Sequence, residues 1–581
     1  MMANMLIKGG TVIDGTGAPA FAADVRVRDG AIVEIGAALS PDGDALFDAA
    51  GCYVSPGFIE SHTHYDATMW WQPDLDPLPG YGATTIVTGN CGFSAAPLSD
   101  EEAARMEMIK IFAFFEDIPL GPFLQNVPWD WRSWPEYRRS VEANIKLPTN
   151  YGMFVGHLAI RLAAMGLDAW TRVATPAEIE AMARMLDDAL SAGALGLSDN
   201  LHDHDGDNRP VPTLIADDAE FEALLAVLEK HAPATYQVIV DTSMRQTGPE
   251  MLERLARLTK GRKLRMQIAG AIPTLEYQRP FVDRMDGTVN RMRAEGYDVW
   301  PGYAHVPPTV TASLYKSLLF AQSNDYVWHE VVCAEGEEAK EQILRDPEWR
   351  ARARDSWDNK AWKHSPFGNP AILILTNPDK GDGPVDISVK DHADSLGIHP
   401  SDALADWFLK NGTMSTVDMV PMAKDEDLTV RLMLEEKTVG NISDAGAHLQ
   451  MLCGGGENVM LLTKYARDDK RISLEHAVHM QTGKLSHFFG LADRGEIKVG
   501  KRADIAVWNL DEIEVRKREK RYDVPDGKGG ITWRFTREAA PMRLTLVNGV
   551  PTFENGAYTG AKPGEFLAPE MEKALYSEAA E

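Results

Sequence analysis

Apolar and polar positions alternate with a period of two near the start of the chain, in MLIKGGTVIDG, ADVRVRDGAIVEIG and ALFDAAGCYVSPGF. Such alternation, punctuated by Gly, predicts short strands over residues 5–55. The same texture returns near the other end, in RADIAVWNL and MRLTLVNGVPTFENGAYTG, where Asn548-Gly549 and Asn555-Gly556 are hairpin-turn dipeptides. Neither stretch is long enough to build a sizeable core alone. The two ends are therefore expected to pair into one small β-sandwich, residues 1–55 plus 495–564.

Between them the pattern changes. Short apolar runs alternate with segments of helical period, which predicts a βα repeat with a parallel sheet. Eight runs qualify as strands: Tyr53–Ile59, Thr84–Thr88, Tyr151–Val155, Ala194–Ser198, Gln237–Asp241, Leu264–Ile268, Tyr297–Gly302 and Val439–Ile442. Eight parallel strands fit a closed TIM (β/α)8 barrel over 56–494. PAEIEAMARMLDDALSAG, DDAEFEALLAVLEKHA and DKRISLEHAVHMQTGKLSHFFG read as amphipathic helices. Residues 101–148, rich in aromatics, and 305–437 exceed normal βα connections. They are expected to wall the top of the barrel or to pack on its outer shell. The polar tail, 565–581, reads as mobile or as a peripheral helix.

Composition narrows the function. Asp and Glu outnumber Lys and Arg by 86 to 59, a formal charge of −27, which disfavours nucleic acid and anionic membrane surfaces as partners. No run approaches the length of a membrane span, and no signal peptide is evident. Four cysteines in 581 residues make no disulfide framework. Cytoplasm is the expected location and a small molecule the expected partner. A homo-oligomer is compatible with the sequence, which does not decide it.

Four motifs carry chemistry. In PGFIESHTHYD, His62 and His64 stand at i and i+2 at a strand end, so both side chains share one face. At the C-terminal rim of a barrel they can reach one cation, and neutral imidazoles suit zinc. Asp66 follows closely. In TGNCGFS, Cys91 sits between glycines after the next strand, where a thiolate can bind or bridge metal. In NISDAGAHLQM, Asp444 ends the last strand and His448 follows, so Asp444 can hold a water and exchange its proton. In FVGHLAIR, His157 can polarise a carbonyl and Arg161 can grip a carboxylate. Each residue also has an ordinary reading: a buried Cys, an Asp capping a helix, a satisfied His or Arg. His202 and His204 read as a solvated loop. Cys52 and Cys333 read as structural, and Cys453 invites inspection because it follows Asp444 closely. His476 and His479 read as outer-shell residues of a helix.

Together these motifs, with GALGLSDN and GEIKVGKRADIAV, resemble the D-aminoacylase branch of the amidohydrolases, the N-acyl-D-amino-acid deacylases, over nearly the whole chain. The resemblance implies metal-dependent hydrolysis of an amide C–N bond, with an N-acyl amino acid as substrate. It assigns His62, His64, Cys91 and Asp444 as ligands for one or two Zn2+, Asp444 as general acid/base, His157 as oxyanion stabiliser, and Arg161, His448 and Asp66 as substrate contacts. The family's two further histidines are absent here. Ser243 and Gly270 stand in their places, and neither replaces an imidazole. His305 and His329 are the candidates to substitute for them. Two other readings stay open: hydrolysis of a cyclic, ureido or bulky aryl amide, and a degenerate barrel serving as a scaffold. A dihydropyrimidinase-like centre is disfavoured, because GALGLSDN has no lysine to bridge two metals.

Overall fold

The computed structural model describes residues 4–207, 209–241, 247–270, 276, 279–306, 309–315, 327–359, 369–420 and 423–570. The chain ends pair as the alternation predicts. Five N-terminal strands, Met5–Val12, Phe21–Arg28, Ala31–Gly36, Ala45–Asp48 and Tyr53–Pro56, join four C-terminal ones, Ile505–Trp508, Met542–Val547, Val550–Glu554 and Ala557–Tyr558, in one nine-stranded sheet. Ile505–Trp508 lies between Tyr53–Pro56 and Met542–Val547, antiparallel to both. Asn548, Gly549, Asn555 and Gly556 all take positive φ, as two-residue hairpin turns require. Ile7, Val25 and Val54 from one chain end share a hydrophobic cluster with Ile505, Val507 and Leu546 from the other.

A closed barrel follows. The run Tyr53–Ile59 is not one strand: Tyr53–Pro56 belongs to the small sheet and Phe58–Glu60 opens the barrel. Gly57 makes the crossing, since a Cβ there would sit 2.0 Å from the Thr84 side chain. Phe58–Glu60, Ala83–Thr88 and Asn150–Met153 pair in parallel. Val155–Gly156 continues the third strand and pairs with Gly196–Leu201, followed by Thr235–Val240, Arg265–Ala269 and Asp298–Pro301, all parallel. A bridge from Gly302 to Val439 and the pairing of Ile442–Ala445 with His62–Thr63 close the ring.

Two outer helices start where the sequence has strong signals. Pro176–Ser191 carries Pro at its start and a capping box between Thr175 and Glu178, and Asp217 caps Asp218–Lys230. The late amphipathic stretch forms two short helices, Leu474–His479 and Gly483–Phe488, rather than one.

The two long insertions have structure of their own. The first holds the helices Glu102–Phe115, Leu120–Asn126 and Trp134–Asn144, pinned by aromatic contacts such as Trp131–Tyr137 at 4.8 Å. The second contains a four-stranded antiparallel sheet, Val310–Ser313, Thr416–Met419, Leu373–Asn377 and Ile387–Ser388, beside several helices. Between the insertions lies a cavity of about 310 Å³, walled by Ile111, Phe114 and Leu120 on one side and Tyr315, Val332 and Cys333 on the other.

The C-terminal half of the chain also departs from expectation. Arg518–Pro525 and Ile531–Arg537 form a separate hairpin rather than joining the small sheet. It grips the loop after the last barrel strand: Phe535 N donates to Leu449 O at 2.7 Å, and Gln450 donates to Trp533 O at 2.9 Å. In the tail, Glu565 and Leu567 are hydrogen-bonded along Tyr151, so this part is fixed against the third strand; residues 571–581 lie outside the described residues. No described helix is long and apolar enough to cross a membrane.

Candidate metal centre

Strands one and eight bring the site together. Ile442 pairs with His62 and Ala445 with Thr63, so Ser443 and Asp444 bulge from the ladder. A bulge re-aims the side chain it carries. Asp444, at φ +51, turns its carboxylate onto the two imidazoles. Its Oδ1 lies 3.4 Å from His62 Nε2 and 3.6 Å from His64 Nε2. The two Nε2 atoms are 3.3 Å apart. Gly446 permits the turn that follows, because a Cβ there would meet Tyr65 N at 2.8 Å.

Cys91 enters from strand two, its Sγ 3.2 Å from His62 Nε2. Its loop is held from strands four and five. Cys91 N donates to Gln237 Oε1 at 3.1 Å, Gly92 N to Ser198 Oγ at 3.1 Å, and Asn200 Nδ2 to Cys91 O at 3.1 Å. Cys91, Asp444 and His448 all have positive φ without being glycine. Such backbone costs on the order of 1–3 kcal/mol per residue and persists where surrounding contacts over-determine it.

The donor set fits a cation. Ligand atoms of His62, His64 and Cys91 lie within 4.8 Å of one another, the only such group among the described residues. Nitrogens around a tetrahedral zinc at about 2.0–2.1 Å would stand roughly 3.3 Å apart. The 3.3 Å between the two imidazole nitrogens matches that spacing; Cys91 Sγ lies 3.2 Å from His62, and Asp444 Oδ1, outside the three-residue group, lies 3.4 and 3.6 Å from the two imidazoles. Both histidines and Cys91 are buried, while the Asp444 side chain is 36% exposed.

Burial and charge then divide the protons unequally. Burial lowers His62 to about 4, against the pull of Asp444. Burial acts downward on His64 as well, but the carboxylates of Glu116 and Asp444 outweigh it and raise that imidazole to about 9. Burial alone would raise Asp444; the hydrogen bond and charge of His64, with His62, hold it well below the usual carboxylate range. Burial pushes the Cys91 thiol up, and Glu116, Asp444 and Asp203 add to it.

Glu116 is the residue that sequence reasoning missed. It caps the C-terminal end of Glu102–Phe115, is buried, and places Oε1 3.4 Å from His64 Nδ1. Its Oε2 lies 3.8 Å from His448 Nε2, and its carbonyl accepts from His448 N at 2.6 Å. The available signal was IFAFFED, an apolar aromatic helix running straight into two acids, both of which are buried.

Several expected residues do not reach the centre. Arg161 does not offer a carboxylate clamp: it is wholly buried, ion-paired with Glu220, and donates to Arg172 O at 2.9 Å. His157 is not placed as an oxyanion donor. It is enclosed between Asp199 Oδ1 at 3.1 Å and Glu220 Oε1 at 2.8 Å. Asp66 is not presented to substrate; buried, it accepts from the Thr88 hydroxyl and from Gly89 N. His448 lies beside the centre through Glu116. His305 Nε2 bonds Glu457 O at 2.8 Å, and His329 lies 3.4 Å from Cys333, so neither replaces a lost ligand. His202 approaches Asp203 at 3.4 Å, and the His204 ring packs on Phe115. Cys453 accepts from Arg537 Nε at 3.2 Å, while His476 and His479 bond Met433 O and Gly15 O. Gly270 has φ +57, and a Cβ there would meet nothing within 4 Å; Ser243 lies outside the described residues.

Comparison with known proteins places this geometry. The model of the family described as "Amidohydrolase family" matches residues 45–303 and 421–553. The chain is 28% identical over 578 residues to an N-acyl-D-glutamate deacylase of Alcaligenes xylosoxydans xylosoxydans, covering 97% of this chain and 96% of the relative. A D-aminoacylase structure superposes with a TM-score of 0.65 at 23% identity, over 97% of this chain and 99% of that one. The N-acyl-D-glutamate deacylase of Bordetella bronchiseptica, solved with zinc and a phosphonate inhibitor, gives a TM-score of 0.63 at 23% identity, over 98% and 100% of the two chains. With a family model matching both barrel arcs and the ring of eight strands closing on His62, the chain belongs to the amidohydrolase family.

Proposed function

We propose that this protein is a zinc-dependent hydrolase that deacylates N-acyl amino acids, the D-series first. The observation that carries the reading is the convergence of His62, His64 and Cys91 at the barrel rim, with Asp444 Oδ1 3.4 and 3.6 Å from the two imidazoles. The names of the similar proteins support the substrate class: a D-aminoacylase described by one-metal activation and second-metal attenuation of a binuclear centre, and two N-acyl-D-glutamate deacylases. With Gly270 and Ser243 where the family has histidines, one cation is the expected complement.

His62, His64, Cys91 and Asp444 would hold that ion, which when bound supplies water activation near neutral pH and carbonyl polarisation. Asp444, kept ionised and about one-third exposed, takes the proton of the attacking water and returns it to the departing nitrogen. His448, beside Glu116, is left to contact the substrate. The cavity between the insertions is the candidate space for the acyl group. There Lys110 pairs with Glu107 at 3.0 Å and Arg209 with Asp205 at 2.6 Å. Residues 56–494 form the catalytic part in this reading, braced by the small β-domain. The four free cysteines accord with a cytoplasmic location.

The test is a screen of zinc-loaded protein against N-acyl-D- and N-acyl-L-amino acids, aryl amides and cyclic imides, read by amine release. Turnover of the D-series by the wild type and its loss in His64→Ala support the reading. Protein that takes up no zinc after supplementation, or a His64→Ala variant with full activity, overturns it.

A further inference from the structure

The geometry points to Glu116 as the positioning carboxylate of the metal centre, which makes the first insertion a working part of the site rather than a cover. The inference rests on the reading of His62, His64, Cys91 and Asp444 as a cation site.

An imidazole that offers Nε2 to a cation must keep its proton on Nδ1, and that tautomer is stabilised by a carboxylate facing the N–H. His64 meets both conditions. Its Nε2 stands with the other donors, 3.3 Å from His62 Nε2 and 3.6 Å from Asp444 Oδ1. Its Nδ1 points the opposite way, toward Glu116 Oε1 at 3.4 Å. That approach is an ionic contact rather than an aligned hydrogen bond, and Nδ1 has no other hydrogen-bond partner. The inference therefore includes a small tightening of this pair when the cation binds.

Glu116 has the rigidity that positioning needs. Its amide donates to Phe112 O at 3.0 Å, closing the helix Glu102–Phe115. Two stacked contacts, Phe93–Phe112 at 5.7 Å and Phe93–Phe115 at 5.8 Å, tie that helix end to the loop carrying Cys91. Glu116 also faces in two directions at once. While Oε1 addresses His64, its carbonyl holds His448 N at 2.6 Å and Oε2 lies 3.8 Å from His448 Nε2. One residue thus couples a metal ligand from strand one to the loop that follows Asp444.

The experiment measures zinc affinity by chelator competition, and the d–d spectrum of the cobalt-substituted protein, in Glu116→Gln, Glu116→Ala and Glu102→Gln. Glu102 is exposed at the opposite end of the same helix. Removing a partner such as Glu116 weakens metal binding about 10–100-fold. We expect a loss of that size in Glu116→Ala, a smaller loss in Glu116→Gln with a shifted cobalt spectrum, and wild-type values in Glu102→Gln. If the alanine variant fails to fold, the near-isosteric glutamine variant carries the test. Zinc affinity within twofold of wild type and an unchanged cobalt spectrum in folded Glu116→Gln overturn the inference. A wild-type protein that binds no zinc overturns instead the reading on which it rests.

Discussion

Two histidine clusters sit at the C-terminal ends of the barrel strands, and they are built to opposite ends. At strands one and eight, His62 and His64 turn their Nε2 atoms toward each other, toward a thiol and toward a carboxylate that is partly open to solvent. At strand three, His157 lies between Asp199 and Glu220, all three side chains at 0% exposure, and Arg161, one helical turn on, completes the charge balance on Glu220. The first cluster turns ring nitrogens and a thiol from two strands onto one another, with a carboxylate from a third beside them. The second gathers charges that neutralise one another, and so ties the helix His157–Met165 to the helix Asp218–Lys230. Residue type is therefore a poor guide to chemistry here; what separates a site from a strut is whether ligand atoms from several strands converge on one point.

Variants can break this distinction. The largest effect is expected at Asp444→Ala, which should abolish turnover and deplete bound zinc while leaving the thermal midpoint near that of the zinc-free wild type. A variant that keeps both metal and activity would place the reaction elsewhere. Next comes Glu220→Gln, which leaves Arg161 buried without its counter-charge and His157 with Asp199 alone. Breaking a buried pair costs about 3–5 kcal/mol, to be read from denaturant midpoints, with zinc stoichiometry unchanged. Loss of zinc in this variant would merge the two clusters into one. The smallest effect is a pH dependence. Asp199 and Glu220 overcome the burial penalty on His157 and raise it from 6.5 to about 9. Because the folded value is the higher, this stabilisation is fully present below pH 6.5 and is lost as pH rises through 9. Its size is about 3 kcal/mol. Stability of the wild type should fall over that window, and His157→Gln should flatten the decline; an equal slope in both would remove His157 as its source.

The barrel was legible because each strand run carries its own turn signals, and the Asn-Gly hairpins because their positive φ has few other solutions. Two-way pairing of the chain ends followed from their matching alternation. The pattern could not show that Tyr53–Ile59 serves two sheets, since an apolar run reads alike on either side of Gly57. Nor could it divide the second insertion into a sheet and helices, or detach the 518–537 hairpin from the small sheet. At the site, His62, His64, Cys91 and Asp444 were legible because strand-end position constrains where they point. His157 and Arg161 misled because a one-turn spacing on a helix serves a substrate clamp and an interior ion pair equally. Glu116 escaped because its partners lie 52 and more than 300 residues away, and only the folded insertion brings them together.

The weave of the two chain ends bears on how the molecule is made. Tyr53–Pro56 finds its antiparallel neighbour in Ile505–Trp508, and the Trp508 indole reaches back 453 residues to the Ser55 hydroxyl. On the ribosome the amino-terminal strands therefore emerge with one edge bare, and they wait for nearly the entire polypeptide before it is covered. Unpaired edges of this kind invite association between nascent chains. Release of a product shortened before Ile505 would leave that edge permanently exposed, so aggregation, rather than a soluble barrel with reduced activity, is the fate this topology sets for carboxyl-terminal truncations.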